Sequence, residues 1–177
     1  MDLRQTIWVV TLALTLYAGW MDWRTRRIPN WLTVPGFLAG LVLNAILGGW
    51  QGARLSLEGA GLALGLLLPL VLLRGLGAGD WKLMGAVGAL LGGRSMLFVL
   101  AVSFLASGLM GIVQMVMTKR VKKTLWNVAA LVKGFVTFGI RPNPEISLDN
   151  PMLLKQPFGA AVAAATMLSF ALAHWRR

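Results

Sequence analysis

The sequence predicts an all-α protein embedded in a membrane, with about six transmembrane helices and both termini outside the cytoplasm. Composition, the lengths of the apolar runs and the placement of basic residues each support this fold class. Hydrophobic residues make up 57% of the chain and charged residues 13%, which is far from the composition of a soluble domain. The sequence has no internal repeat and no soluble second domain, so residues 1–177 are expected to form one membrane-embedded domain.

Six apolar runs define the predicted helices, and most approach the roughly 20 residues that a helix needs to cross a bilayer. The fourth run is short and glycine-rich, so we expect it to span only if it packs among other helices. Residues 48–56, between the second and third runs, are expected to form an outer loop. The runs cover residues 6–21, 31–47, 59–73, 83–91, 96–117 and 158–175.

The basic residues set the predicted orientation. When the six helices alternate across the membrane, most of the 17 lysines and arginines fall on one side, and the positive-inside rule makes that side the cytoplasm. The protein is therefore expected in the inner, cytoplasmic membrane, in contact with lipids. This topology and the attraction of anionic lipids explain the net charge of +11, so we expect no nucleic-acid partner.

The longest segment between predicted helices, residues 118–156, is expected to be a cytoplasmic or interfacial loop. It opens with Lys119-Arg120-Val121-Lys122-Lys123, a run that is typical of a stop-transfer charge cluster. Apolar residues then recur at helical spacing, which favours a helix lying in the membrane interface. A re-entrant or substrate-contacting element is the alternative interpretation.

Several kinds of site are excluded by composition. The chain has no cysteine and one histidine, which rules out disulfides, thiol catalysis and thiolate metal sites. His174 falls at the outer end of the last predicted helix, so we expect no metal and no cofactor. A serine and lysine dyad is poorly supported, because the serines of the fifth run lie away from Lys82.

Acidic residues are rare, and two of them share a depth. Asp22 and Asp80 both fall at cytoplasmic helix ends, whereas the others lie on the outer side or in the long loop. An aspartic protease needs two such carboxylates, one to take a proton from water and one to donate a proton to the scissile carbonyl. The six acids are Asp2, Asp22, Glu58, Asp80, Glu145 and Asp149.

Two features surround this predicted pair. Gly77 and Gly79 flank Asp80 on its N-terminal side, and we expect them to permit unusual backbone angles and the close approach of an extended substrate strand. The structural alternative is that both aspartates form surface salt bridges, Asp22 with Arg24 or Arg26 and Asp80 with Lys82. Such exposed pairs contribute little to stability.

These residues carry a resemblance to a known family. Asp22 within Asp-x-Arg-x-x-x-Ile-Pro-Asn, and Gly77-x-Gly79-Asp80-x-Lys82, resemble the two active-site motifs of the type IV prepilin peptidases, which are membrane aspartic proteases. The chain is similar to their short forms, the preflagellin peptidases and the tight-adherence pilus prepilin peptidases. Gln156-Pro157-Phe158-Gly159 resembles the Pro-Tyr-Gly stretch that opens their last helix, with phenylalanine in place of tyrosine.

The resemblance implies a specific activity, which is cytoplasmic removal of a short basic leader from prepilin-like proteins, after a glycine and just before a hydrophobic helix. It implies Asp22 and Asp80 as the catalytic pair, with Gly77, Gly79 and Lys82 as supporting residues. Longer members also N-methylate the new terminus through a region with paired cysteines, which this chain lacks, so we expect peptidase activity alone. The sequence identifies neither substrate-binding residues nor an oligomeric state.

Two other functions remain as alternatives. In a small transporter the two aspartates would be titrating carriers, although the inverted repeats or matching broken helices that would favour a transporter are not found. A structural subunit of a secretion assembly is the second. The three arginines that follow Asp22 would repel a basic leader, so we interpret them as topological anchors: Arg24, Arg26 and Arg27.

Overall fold

The computed structural model describes residues 3–117, 126, 129 and 156–175, and within these ranges the chain is helical apart from short turns. The described residues contain no strand, which agrees with the predicted all-α class. The predicted loop at 118–156 lies almost entirely outside them. The helices are α1 (Leu3–Thr25), α2 (Asn30–Leu72), α3 (Ala78–Met117) and α4 (Phe158–Trp175).

The long helix α2 reverses direction at Gly49. This glycine has φ 56° and ψ −138°, a left-handed conformation that favours glycine because it has no Cβ. Asn44 and Gly52 touch across the reversal, since a methyl group on Gly52 would collide with the Asn44 carbonyl oxygen. The expected outer loop at 48–56 is therefore wrong, because Gly49 alone takes the non-helical angles that join the two segments.

The helix α3 breaks at Gly92, which has φ 74° and ψ 171°. The short segment before the break is buried throughout residues 83–90. A break leaves the carbonyl groups of the preceding turn without intrahelical donors. Both segments of α2 supply donors to the Ala89 carbonyl, from Asn44 Nδ2 at 2.9 Å and from Ser56 Oγ at 2.7 Å. As expected, this short apolar run is packed among other helices.

Contacts between the helices give their directions. Trp8 lies against Phe170, with ring centroids 6.0 Å apart, whereas Gly19 lies against Ala163, so α1 and α4 run antiparallel. The starts of α2 and α3 lie beside each other. As a result, the end of α1 and the starts of the other three helices meet at one end of the bundle.

The surface of the bundle suits a membrane. Two helical stretches, Asn30–Leu72 and Ala78–Gln114, are long and apolar enough to cross one. Large apolar side chains face outward, among them Ile46, which is 66% exposed, and Leu105, which is 73% exposed. The finer prediction of six spans with both termini outside is not supported. Within the described part of the chain, two helices qualify by length and composition, and each of them combines two of the predicted apolar runs.

Candidate active site

Asp22 lies in the last turn of α1, where it is 6% exposed. Its Oδ2 accepts a hydrogen bond from the backbone N–H of Gly159 at 2.8 Å, across 137 residues of sequence. Gly159 is the second residue of α4, and N–H groups in the first turn of a helix have no intrahelical acceptor. Asp22 therefore caps a helix from another part of the chain, and the positive end of that helix favours a charged carboxylate.

Asp80 is the third residue of α3, so it also lies at a helix N-terminus. Its carboxylate accepts a hydrogen bond from the backbone amide of Gly77, the residue before the helix, as in one half of a capping box. Its other oxygen, Oδ1, is buried and has no hydrogen-bond partner among the described residues. A buried polar atom without a partner is costly and calls for a chemical explanation.

One pocket of about 440 Å³ holds both aspartates. The two carboxylates interact electrostatically, and two nearby acids in a desolvated site do not readily ionise together, so they titrate as a pair. The structure thus brings together the two acids that the sequence singled out. The pocket is lined by Asp22, Arg26, Arg27, Ile28, Pro29, Asn30, Gly77, Ala78, Gly79 and Asp80.

The backbone angles of the two glycines before Asp80 differ from the expected ones. Among the described residues, positive φ angles at glycine occur at Gly49 and Gly92, so the unusual backbone angles predicted for Gly77 and Gly79 are wrong. A methyl group on Gly77 would lie 2.9 Å from Asp80 Oδ2, and one on Gly79 would lie 3.1 Å from the Ile28 Cβ. These glycines make room for parts of the protein itself.

Lys82 bonds to the start of α2. Its Nζ donates to Asn30 Oδ1 at 3.0 Å in an exposed position, so the alternative salt bridge with Asp80 is not formed. This bond joins the start of α3 to the start of α2. Arg26, by contrast, acts electrostatically on Asp22 and lines the pocket, which places it at the site as well as in the charged turn.

Sequence reasoning missed how the start of α4 is held. The Gln156 side-chain amide donates to the Ser107 carbonyl oxygen at 2.7 Å and accepts from the Gly111 N–H at 2.8 Å. It thereby bonds to two backbone groups of α3 that lie one helical turn apart. The Phe158 ring is 6% exposed and packs on Phe104, with centroids 5.4 Å apart. The only signal in the sequence was the resemblance of residues 156–159 to a stretch that opens the last helix of the family, and it assigned no role to Gln156 or Gly159.

The fold and the pocket together define a class, an apolar helical bundle with two carboxylates in one polar site. Residues 9–112 match the type IV leader peptidase family, and the chain belongs to this family. Membership implies a protease, of the aspartic leader-peptidase type. No curated protein and no solved structure matches the chain. The matched range contains Asp22 and Asp80, whereas Gly159 lies beyond it.

Proposed function

We propose that this protein is a membrane aspartic endopeptidase that removes the short basic leader from type IV prepilin-like proteins, with Asp22 and Asp80 as its catalytic pair. The observation that carries the proposal is that one pocket, within the range matched by the family, holds both carboxylates. They lie at the same end of the bundle, Asp22 at the end of α1 and Asp80 at the start of α3.

The pair performs hydrolysis with one shared proton. The charged carboxylate takes a proton from a water molecule as the water oxygen bonds to the scissile carbonyl carbon. The protonated carboxyl group gives its proton to the carbonyl oxygen, which produces a tetrahedral diol. The carboxyl group that received the water proton then gives it to the amide nitrogen as the C–N bond breaks, while the other carboxylate takes a proton from one hydroxyl group of the diol. The leader is released as a carboxylic acid with the new amino terminus, and the pair again holds one proton.

The supporting residues act through geometry. Gly77 leaves space for Asp80 Oδ2, and Gly79 lets the start of α3 approach the turn at Ile28. Lys82 ties α3 to α2 through Asn30. Gly77 and Gly79 line the pocket beside Asp80, and Lys82 acts on it through Asn30, which also lines it. A bulkier or displaced wall changes the position of a reacting carboxyl group.

The proposal extends to membrane placement. Each segment of α2 and α3 crosses or deeply enters the bilayer, as do α1 and α4, so that six spans leave both termini outside and the aspartates facing the cytoplasm. The chain reversals at Gly49 and Gly92 support this arrangement, because they lie at the opposite end of the bundle from Asp22 and Asp80. The positive-inside rule favours the inner membrane and this orientation.

The substrate class follows from the depth of the site. A basic leader stays at the charged membrane surface while the apolar helix that follows it enters the bilayer, so the peptide bond between them lies where helix ends meet the head groups. The aspartates occupy helix ends. The product amine should remain unmethylated when this protein acts alone, and residues 118–156 would form a cytoplasmic or interfacial loop beside the site.

The direct test is co-expression with a prepilin-like substrate, with leader removal followed on a gel. We expect cleavage by the native protein and none by Asp22→Asn or Asp80→Asn. Glu58→Gln is the matched control, because Glu58 does not line the pocket. Its side chain is half exposed and forms an ion pair with Arg54, with an N–O distance of 2.8 Å. Cleavage that survives either aspartate change would contradict the mechanism, and absence of cleavage by the native protein would favour a non-enzymatic transporter or assembly subunit.

A further inference from the structure

The carboxylate of Asp22 is held by a part of the chain that lies outside the range matched by the family. Its Oδ2 receives the Gly159 N–H in a buried bond of 2.8 Å. A methyl group on Gly159 would lie 3.0 Å from the Asp22 Cβ, 3.1 Å from its Oδ2 and 3.0 Å from Ile28 Cδ1. Any residue larger than glycine at this position therefore pushes on the aspartate itself.

The start of α4 is in turn anchored on two sides. On one side, the Gln156 amide bonds to the Ser107 carbonyl and the Gly111 N–H of α3. On the other, Gly19 of α1 lacks the side chain that would meet the Gly159 carbonyl oxygen at 3.1 Å. These contacts leave little freedom for the Gly159 amide to move away from Asp22, since the groups around it are backbone atoms or buried side chains.

The two aspartates differ in the hydrogen bonds that their carboxylate oxygens accept. Burial disfavours the charged form of both aspartates. Asp22 offsets this with a backbone N–H at a helix N-terminus and with the electrostatic field of Arg26, and both of these features favour a charged carboxylate. Asp80 also accepts an amide hydrogen bond, from Gly77, but its Oδ1 is buried with no partner among the described residues. An unpartnered buried oxygen is less costly as a neutral O–H group than as part of a charge.

We propose that Gly159, anchored by Gln156, is a positioning residue that fixes the Asp22 carboxylate through its backbone N–H and keeps Asp22 the charged member of the pair. Asp80 then holds the shared proton on Oδ1. In the reaction this makes Asp22 the base that activates water and Asp80 the acid toward the scissile carbonyl. This assignment of roles rests on the proposed function, whereas the contact between Gly159 and Asp22 does not.

The kinetic test compares purified native protein with Gly159→Ala on a synthetic peptide that contains a basic leader and the start of an apolar helix. We expect kcat to fall about 10-fold or more with KM changed by less than about 3-fold, because a reacting group is displaced while binding is not. The acid limb of the pH–rate profile should move to higher pH, since the lost hydrogen bond had favoured the charged carboxylate. The other charged groups that face Asp22 in the pocket, Arg26, Arg27 and Asp80, stay unchanged in this variant.

The matched control is Gly65→Ala, because Gly65 lies in helix α2 with no atom near a new methyl group. It should leave kcat, KM and the acid limb at their native values. A second variant, Gln156→Ala, loosens the start of α4 without adding an atom next to Asp22, and its acid limb should move in the same direction. An unmoved acid limb in both Gly159→Ala and Gln156→Ala would overturn the proposal.

Thermal unfolding in detergent tests the same contact without any activity. Gly159→Ala should lower Tm in the native background and lower it less in an Asp22→Gly background, where the Asp22 atoms that the methyl group meets are gone and the contact with Ile28 Cδ1 remains. Equal losses of Tm in the two backgrounds would overturn the contact. If the native protein cleaves no prepilin-like peptide, the proposed function fails, and the unfolding cycle still decides whether Gly159 positions Asp22.

Discussion

The two aspartates lie at the positive ends of two different helices, but one is held locally and the other from a distance. Asp80 takes its amide bond from Gly77, three residues earlier, whereas Asp22 takes its bond from Gly159, 137 residues later. The local arrangement follows from the way any helix begins. The distant arrangement exists only when α1, α3 and α4 are assembled, so one half of the site depends on the tertiary structure far more than the other.

The largest effect should come from removing either carboxylate. Asp22→Asn and Asp80→Asn should each lower kcat by at least about 1,000-fold, and the double variant should be no worse than either single one, because the two groups act as a unit. Single-turnover cleavage of a prepilin-like peptide measures this. A double variant that multiplies the two losses would mean that the aspartates act independently.

The short-range hydrogen bond between Gly77 and Asp80 can be disturbed at Gly77. A methyl group there would lie 2.9 Å from Asp80 Oδ2, and a carboxylate can rotate away, so Gly77→Ala should lower kcat about 10-fold or more while Tm changes little. Gly65→Ala again serves as the control, with neither quantity changed. A large fall in Tm without a fall in kcat would show that Gly77 serves the fold and not Asp80.

The long-range hydrogen bond between Gly159 and Asp22 can be weakened by a change at Gln156. Gln156→Ala removes the side-chain amide that bonds to the Ser107 carbonyl and the Gly111 N–H. These two backbone groups are four residues apart in α3 and can bond to each other within the helix, so we expect a small loss of Tm. Cleavage should fall by roughly 3- to 10-fold, because the start of α4 holds Asp22 less firmly. Gln51→Ala changes an exposed glutamine of α2 and should alter neither measurement.

The smallest effect is expected at Lys82. Its bond to Asn30 is exposed, and exposed polar pairs contribute only a few tenths of a kcal/mol, on the order of 0.2–1. Lys82→Met should therefore keep kcat within about 3-fold of the native value, and Lys82→Arg should be closer still. A loss comparable to that of Asp80→Asn would instead give Lys82 a direct part in the reaction.

Parts of this protein were predictable because their causes are local. The apolar runs at 31–47 and 59–73 correspond to the two segments of α2, and the short run at 83–91 is buried among its neighbours. Asp22 and Asp80 were found by their depth, since helix ends at the same side of a bundle lie close together. The prediction of a loop at 48–56 was wrong, because one glycine with a positive φ angle can connect two helical segments without a loop.

Other parts depended on contacts that no local pattern encodes. The space beside Gly79 is limited by Ile28, and the position of Lys82 is set by Asn30. Gln156 finds its partners in the middle of α3. Each of these contacts joins parts of the chain that are far apart in the sequence, so their geometry is decided by packing directions that hydrophobic periodicity alone does not specify.

By itself, the sequence determined that the protein is helical and apolar, that Asp22 and Asp80 lie at helix ends on the same side, and that Asp80 begins a helix after a glycine. These properties follow from composition, run length and the local rules of helix initiation. Only the tertiary structure decided that Gly159 holds Asp22 and that Asp80 Oδ1 is left without a partner. The physical reason is that a hydrogen bond across 137 residues exists only after the helices between its partners have packed.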